Sequence, residues 1–143
     1  MDKLSGTVGV IGVGNMAEAL IRGLVHSGIV AGPQVVGSHP RAERGAELTS
    51  RYGIEATTDN REAARRADIL ILAVKPQVMP KVLSEIQGDV KAGALVISIA
   101  AGIPIAAIEG KLPQARIVRS MPNTPALVGA AATAVSGSGH ATP

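Results

Sequence analysis

The chain has 143 residues, a formal net charge of +3, no cysteine, one tyrosine and neither phenylalanine nor tryptophan. That length suits one domain whose interior is built from Val, Ile, Leu and Ala. A disulfide framework is excluded, and the residues that stack single-stranded bases are missing. No apolar run is long enough to span a bilayer, and the N-terminus lacks a signal-peptide layout, so a soluble, cytoplasmic protein without a membrane partner is expected.

Apolar runs alternate with helical patterns along nearly the whole chain. "TVGVIG" (Thr7 to Gly12) predicts a strand, and "NMAEALIRGLVHSG" a helix with Ala17, Leu20, Ile21, Leu24 and Val25 on one apolar face. Asn15 is suited to cap that helix and Gly28 to end it. "QVVGS" predicts a second strand, Gln34 to Ser38, and Pro40 suits the first turn of a helix that Gly53 closes. A short third strand, "IEATT", leads to Asp59 and Glu62, which have capping-box spacing at the start of another helix.

"DILILAV" (Asp68 to Val74) is apolar on both faces, as a strand covered by helices on each side should be. Pro76 opens a helix to about Gln87, "ALVISIA" is another buried strand, "PIAAIEGKL" a short helix and "ARIVRSM" a further strand. "AAATAVSG" has the pattern of a last strand at an edge. This alternation predicts an α/β fold with a doubly wound, mostly parallel sheet of Rossmann type. The domain is expected over 1–135, and 136–143, "SGSGHATP", has the polar, glycine-rich character of a domain boundary.

Gly12, Gly14 and Ala17 have the spacing of a dinucleotide-binding turn. Gly12 permits a tight exit from the strand, Gly14 lets backbone approach phosphate oxygens, and Ala17 lets the helix pack on the strand. The helix starting near Asn15 then directs its free N–H groups and positive dipole end at a pyrophosphate. Such turns also serve packing alone, but this one follows the first strand, opens an amphipathic helix and begins a βαβ unit. An NAD site usually ends its second strand in an acid that accepts from the ribose 2′-hydroxyl. Here Ser38, His39 and Arg41 stand in that region, with no acid between Glu18 and Glu43. That favours NADPH with NADH as the other possibility, unless Pro40 and Arg41 merely start a helix.

Three more segments leave successive strands at the same edge: "AVKPQ" (Ala73 to Gln77), "SIAAGI" (Ser98 to Ile103) and "MPNTPALVG" (Met121 to Gly129). Each has a plain reading as a turn or as packing; together they predict the floor of one crevice. Arg61, Arg65 and Arg66 read as a solvated helix face, so no nucleic-acid partner is expected. No catalytic residue can be picked out: His26 ends a helix and His140 lies in the tail, and no metal site is expected.

These segments, "IGVGNMAEAL", "AVKPQ", "SIAAGI" and "MPNTPALVG", resemble in content and order the motifs of pyrroline-5-carboxylate reductases, over essentially the whole chain. The resemblance implies NAD(P)H-dependent reduction of 1-pyrroline-5-carboxylate to L-proline, the last step of proline biosynthesis. It implies that the cofactor is held by Ile11, Gly12, Val13, Gly14, Asn15 and Met16, with Ser38 at the 2′-phosphate and Asn60 a further nucleotide contact. Ala73, Val74, Lys75 and Pro76, with Ile99, Ala100 and Ala101, would line the nicotinamide half. Asn123 and Thr124 would lie near the substrate. The resemblance also implies a helical C-terminal domain that makes a homo-oligomer and supplies most of the substrate site, which this chain lacks; this chain alone is expected to be inactive. Two other readings stay open: a hydroxyacid dehydrogenase-like enzyme with Lys75 as proton donor, and a non-catalytic nucleotide-sensing module.

Overall fold

The structure, a computed structural model, describes residues 4–122 and 133–137. Seven strands form one sheet in the order β3-β2-β1-β4-β5-β6-β7: β1 (Val8–Ile11), β2 (Val35–Ser38), β3 (Glu55–Thr57), β4 (Ile69–Leu72), β5 (Leu95–Ser98), β6 (Arg116–Pro122) and β7 (Thr133–Gly137). The first six run parallel, and β7 closes one edge antiparallel to β6, with Ser120 opposite Val135. The doubly wound sheet read from the alternation of elements is the observed one.

Alternation along the strands sorts their side chains to two cores. On one face, Val8, Val10, Val35 and Ile71 pack with Ala17 and Ile21 of α1 (Asn15–His26) and Leu48 of α2 (Ala42–Tyr52). On the other, Ile11, Val36, Leu70, Leu72, Val96 and Ile117 meet α3 (Asn60–Arg66), α4 (Met79–Ile86) and α5 (Ile105–Lys111) through Ala63, Met79, Leu83, Ile86 and Ile108. The interior is aliphatic in place of aromatic: among the described residues only Ser38 and Ser98 are buried polar side chains.

The ends of several helices differ in detail from expectation. Helix α1 has Gly14 at its N-cap with no side-chain capping bond, and Asn15 is already its first helical residue. Its C-cap is Ser27, and Gly28 follows at φ +79°. Pro40 lies outside α2, whose N-cap is Arg41, because the Arg41 N–H is held in a local turn by His39 Nδ1 at 3.0 Å. Asp59 does cap α3, accepting from the Arg61 N–H at 2.9 Å. Glu62 does not return the bond: Thr57 Oγ1 takes the Asp59 N–H at 3.0 Å, and the Thr57 hydroxyl donates to Glu62 at 2.9 Å. Pro76 begins a short 3-10 turn, Pro76–Val78, before α4. Gly53 ends α2 as expected, at φ +72°, where a residue without Cβ is unstrained.

The chain reverses its direction of travel across the sheet between β1 and β4, which lie side by side. In an open parallel sheet this switch leaves a crevice at the carboxyl ends of the strands.

Candidate dinucleotide site

The loop after β1 is tied to both neighbouring strands. Gly12 and Val13 donate to the Ser38 carbonyl at 3.0 and 3.3 Å, and Ala73, just past β4, donates to the Ile11 carbonyl at 2.8 Å. Gly12 has φ +85°, and a Cβ there would lie 2.6 Å from Val74 Cγ1, so both conformation and space require glycine. Gly14 is different. Its N–H donates to the Gly12 carbonyl at 2.8 Å, its φ is −91°, and a Cβ would meet no atom within 4 Å. Nothing in the chain's own packing calls for glycine at that position; the empty space does.

That space is a cavity of about 450 Å³ above the switch point. Gly12 and Gly14 line it, with His39 and Pro40 after β2, Thr58 and Asn60 after β3, and Ala73, Val74 and Lys75 after β4. One face of the turn and helix that follow, Val78, Lys81, Val82 and Glu85, forms the remaining wall. The uncapped start of α1 opens beside Gly14, so leading N–H groups and the positive end of the helix dipole stand at the cavity. A cradle whose Cβ-free wall faces a helix N-terminus fits a pyrophosphate.

Of the residues the motifs singled out, Gly12, Gly14, Asn60, Ala73, Val74 and Lys75 line this cavity. Ile11 and Val13 point into the two cores and contribute to the loop by their backbone. Asn15 and Met16 form the first turn of α1 but are not part of the cavity wall, and Pro76 is exposed at the 3-10 turn. Ser38 is fully buried beneath the site, its hydroxyl donating to Asn60 Oδ1. Ile99, Ala100 and Ala101 follow β5 farther along the sheet: Ile99 N–H bonds the Leu72 carbonyl at 3.1 Å, and Ala100 is buried. Asn123 and Thr124 lie outside the described residues.

The wall formed by Val78, Lys81, Val82 and Glu85 escaped the sequence reading. Its signal was present, since positions 78, 81, 82 and 85 recur at helical spacing on one face. Buried Met79, Leu83 and Ile86 on the adjoining face marked the same helix as amphipathic, and amphipathicity alone does not tell solvent from a binding cavity.

A second polar system braces the loop from behind. Arg44 Nε donates to the Val13 carbonyl at 3.2 Å and its Nη2 to Glu18 Oε1 at 2.7 Å. Glu18 Oε2 accepts from the Tyr52 hydroxyl at 2.7 Å and from Arg51 at 2.9 Å. The Tyr52 hydroxyl does most to lower the Glu18 pKa, burial opposes it, and Arg44 and Arg51 add to the lowering, leaving it at about 2. Elsewhere, Arg61 and Arg65 pair with Asp89 at 2.9 and 3.2 Å, and Arg66 with Glu55, which accounts for the basic cluster as surface ion pairs. No helix among the described residues is long and apolar enough to cross a membrane.

Comparison with known proteins agrees with this geometry. Residues 7–102 match a family model described as NADP oxidoreductase, coenzyme F420-dependent. The pyrroline-5-carboxylate reductase of Escherichia coli is 43% identical over 137 residues, covering 95% of this chain and 51% of that protein. A pyrroline-5-carboxylate reductase structure from Coxiella burnetii superposes with a TM-score of 0.91 at 33% identity, over 97% of this chain and 52% of the other. Plasmodium falciparum pyrroline carboxylate reductase, solved with NADP bound, superposes with a TM-score of 0.84 at 28% identity, over 98% of this chain and 51% of the other. The chain thus spans about half the length of the curated relatives it matches. With the family model covering the whole crevice from β1 to the loop after β5, the chain belongs to the family of NADP oxidoreductases, coenzyme F420-dependent, and its resemblance to pyrroline-5-carboxylate reductases extends from the motifs to the fold.

Proposed function

We propose that this chain is the dinucleotide-binding part of an NADPH-dependent reductase that converts 1-pyrroline-5-carboxylate to L-proline. The observation that carries the proposal is Gly14, whose missing side chain leaves open space at the start of α1, in the wall of a cavity at the topological switch point. The similarity to pyrroline-5-carboxylate reductases supports the substrate. The NADP bound to the Plasmodium falciparum relative supports the cofactor.

In this reading the backbone of Ile11 to Met16 and the leading N–H groups of α1 hold the pyrophosphate, and Ser38 and Asn60 serve the adenosine ribose. The end of β2 offers no carboxylate to a 2′-hydroxyl, while Lys75 and Lys81 line the cavity without an ion pair to any described residue, which suits the extra charge of a 2′-phosphate. Ala73 to Pro76 and Ile99 to Ala101 flank the nicotinamide half. A reduced nicotinamide, when bound, supplies a hydride for the carbon of the C=N bond. The chain's residues contribute orientation and exclusion of water on one side of that carbon. Donors for the imine nitrogen and the substrate carboxylate are assigned to a further domain beyond a boundary at about residues 136–143, and Asn123 and Thr124 are assigned to the vicinity of the substrate. The complete protein is taken to be a cytoplasmic homo-oligomer.

The test is a calorimetric titration of the 143-residue chain with NADPH and NADH, with an assay of the complete protein on 1-pyrroline-5-carboxylate. Binding of NADPH in preference to NADH, with pyrroline reduction by the complete protein, is expected. A folded chain that binds neither dinucleotide, or a complete protein that reduces hydroxyacid partners and not the pyrroline, overturns the proposal.

A further inference from the structure

Among the described residues the cavity wall holds one carboxylate, Glu85, and it makes no ion pair. Its Oε1 accepts from Asn60 Nδ2 at 2.7 Å. An ionised carboxylate can only accept, so the amide nitrogen of Asn60 must face Glu85 and the amide oxygen must face the other way. The other way is Ser38, fully buried, whose hydroxyl proton is thereby directed at Asn60 Oδ1. Three elements, α4, α3 and β2, are joined by one hydrogen-bond chain with a single allowed polarity. The Asn60 nitrogen keeps a second N–H, and Asn60 itself lines the cavity, so the chain leaves one donor for an occupant.

The same carboxylate sets a charge in the wall to which β2 delivers the ribose end of a dinucleotide. A ribose 2′-hydroxyl is uncharged and donates as well to an amide oxygen as to a carboxylate at this position, whereas a 2′-phosphate is repelled by the charge. Lys81, one helical turn earlier in the same wall, has the opposite sign.

We infer that Glu85 is a positioning and specificity-determining residue: it holds Asn60 as a donor toward the cofactor's adenosine ribose and sets, against Lys81, how strongly a 2′-phosphate is preferred. This rests on the reading of the cavity as a nicotinamide dinucleotide site. Glu85 is exposed and lies on the solvent-facing and cavity-facing side of α4, so its replacement leaves the core intact.

The experiment measures Kd for NADPH and for NADH on the 143-residue chain and on its Glu85→Gln and Glu85→Ala variants. It also records the side-chain amide signals of Asn60 by NMR without any ligand. Glu85→Gln keeps an acceptor for Asn60 and removes the charge, so NADPH binds about fivefold tighter while NADH stays within about twofold. Glu85→Ala frees the Asn60 amide, so NADH binding weakens by about threefold to tenfold. In the ligand-free chain the Asn60 amide signals shift in Glu85→Ala and stay close to wild type in Glu85→Gln. Equal changes for the two dinucleotides in Glu85→Gln, or Asn60 signals unmoved in Glu85→Ala, overturn the inference. Asn60 signals that behave as expected in a chain that binds neither dinucleotide overturn the cofactor reading, and the specificity role with it.

Discussion

Arg44 Nε donates to the carbonyl of Val13 at 3.2 Å, so a side chain of the second helix holds the backbone of the first loop. The Arg44 side chain is only 18% exposed, and its guanidinium is simultaneously paired with Glu18. In many dinucleotide folds an arginine after the second strand accommodates a 2′-phosphate. Here Arg44 occupies that part of the chain but faces the back of the loop, with its donors directed to protein acceptors. Arg44→Ala should therefore loosen the phosphate loop instead of changing which dinucleotide is chosen. NADPH and NADH should both weaken, each by about tenfold, with a stability loss of about 1–3 kcal/mol. Paired titrations check this; a loss confined to NADPH would make Arg44 a phosphate ligand.

Glu18 gives that brace a pH signature. Its carboxyl titrates at about 2 in the folded chain against 4.5 ordinarily, so the folded state binds this proton less readily than the unfolded chain. A depressed carboxyl contributes stability that is complete above the unfolded value and is lost as pH falls toward the folded one. The shift corresponds to at most about 3 kcal/mol, lowered by the exposure of Arg51, one of its partners. Glu18→Gln should then be about 2 kcal/mol less stable than wild type at pH 7. The gap should narrow between pH 4.5 and about 2. Urea unfolding at pH 7 and pH 3 measures it, and a gap independent of pH would mean that the Glu18 charge contributes nothing.

The two loop glycines should fail in different ways. Gly12→Ala places a Cβ 2.6 Å from Val74 Cγ1 on a backbone at φ +85°, so it should destabilise the fold by about 2–4 kcal/mol. Gly14→Val meets no protein atom within 4 Å at Cβ and should fold with nearly wild-type stability, yet bind no dinucleotide, because the new side chain fills the phosphate's approach. Thermal melts and calorimetry separate the two effects. A folded Gly14→Val protein with unchanged affinity would remove the loop from the binding site.

How far the fold could be read in advance follows from where each signal resides. Apolar runs such as "DILILAV" lie between helical patterns, and that local alternation is enough for a doubly wound sheet. Gly12 and Gly53 were legible for the same reason, since a strand exit and a helix end are local events. The burial of Ser38 and the placement of Glu85 were not. Ser38 reads as a cofactor contact at the strand end, and only the fold shows it fully buried and bonded to Asn60, 22 residues away. Glu85 reads as one more charge on an amphipathic helix, and only packing of α4 beside the switch point turns that face toward the cavity. The Asp59 and Glu62 spacing was a local signal diverted by another local residue, because Thr57 supplies the oxygen that the Asp59 N–H needs.

Lys81 gives the sharpest separation between the two dinucleotides. It lines the cavity from α4, is exposed, and makes no ion pair with a described residue. Its ammonium is therefore available to an anion, whereas Arg44 is held by Glu18 and Glu47. A lysine of this kind adds a point charge without the fixed fork of an arginine, so it should favour a 2′-phosphate by attraction instead of by shape. Lys81→Gln preserves length and helix propensity while removing the charge. NADPH should bind about threefold to tenfold more weakly, and NADH should be unchanged within about twofold. The wild-type difference should also shrink as salt is raised from low concentration to physiological strength, because an exposed charge is screened over about 8 Å there. If Lys81→Gln leaves the NADPH-to-NADH ratio untouched at low salt, the 2′-phosphate is held from the β2 side, and Arg41, exposed at the start of α2, becomes the residue to replace.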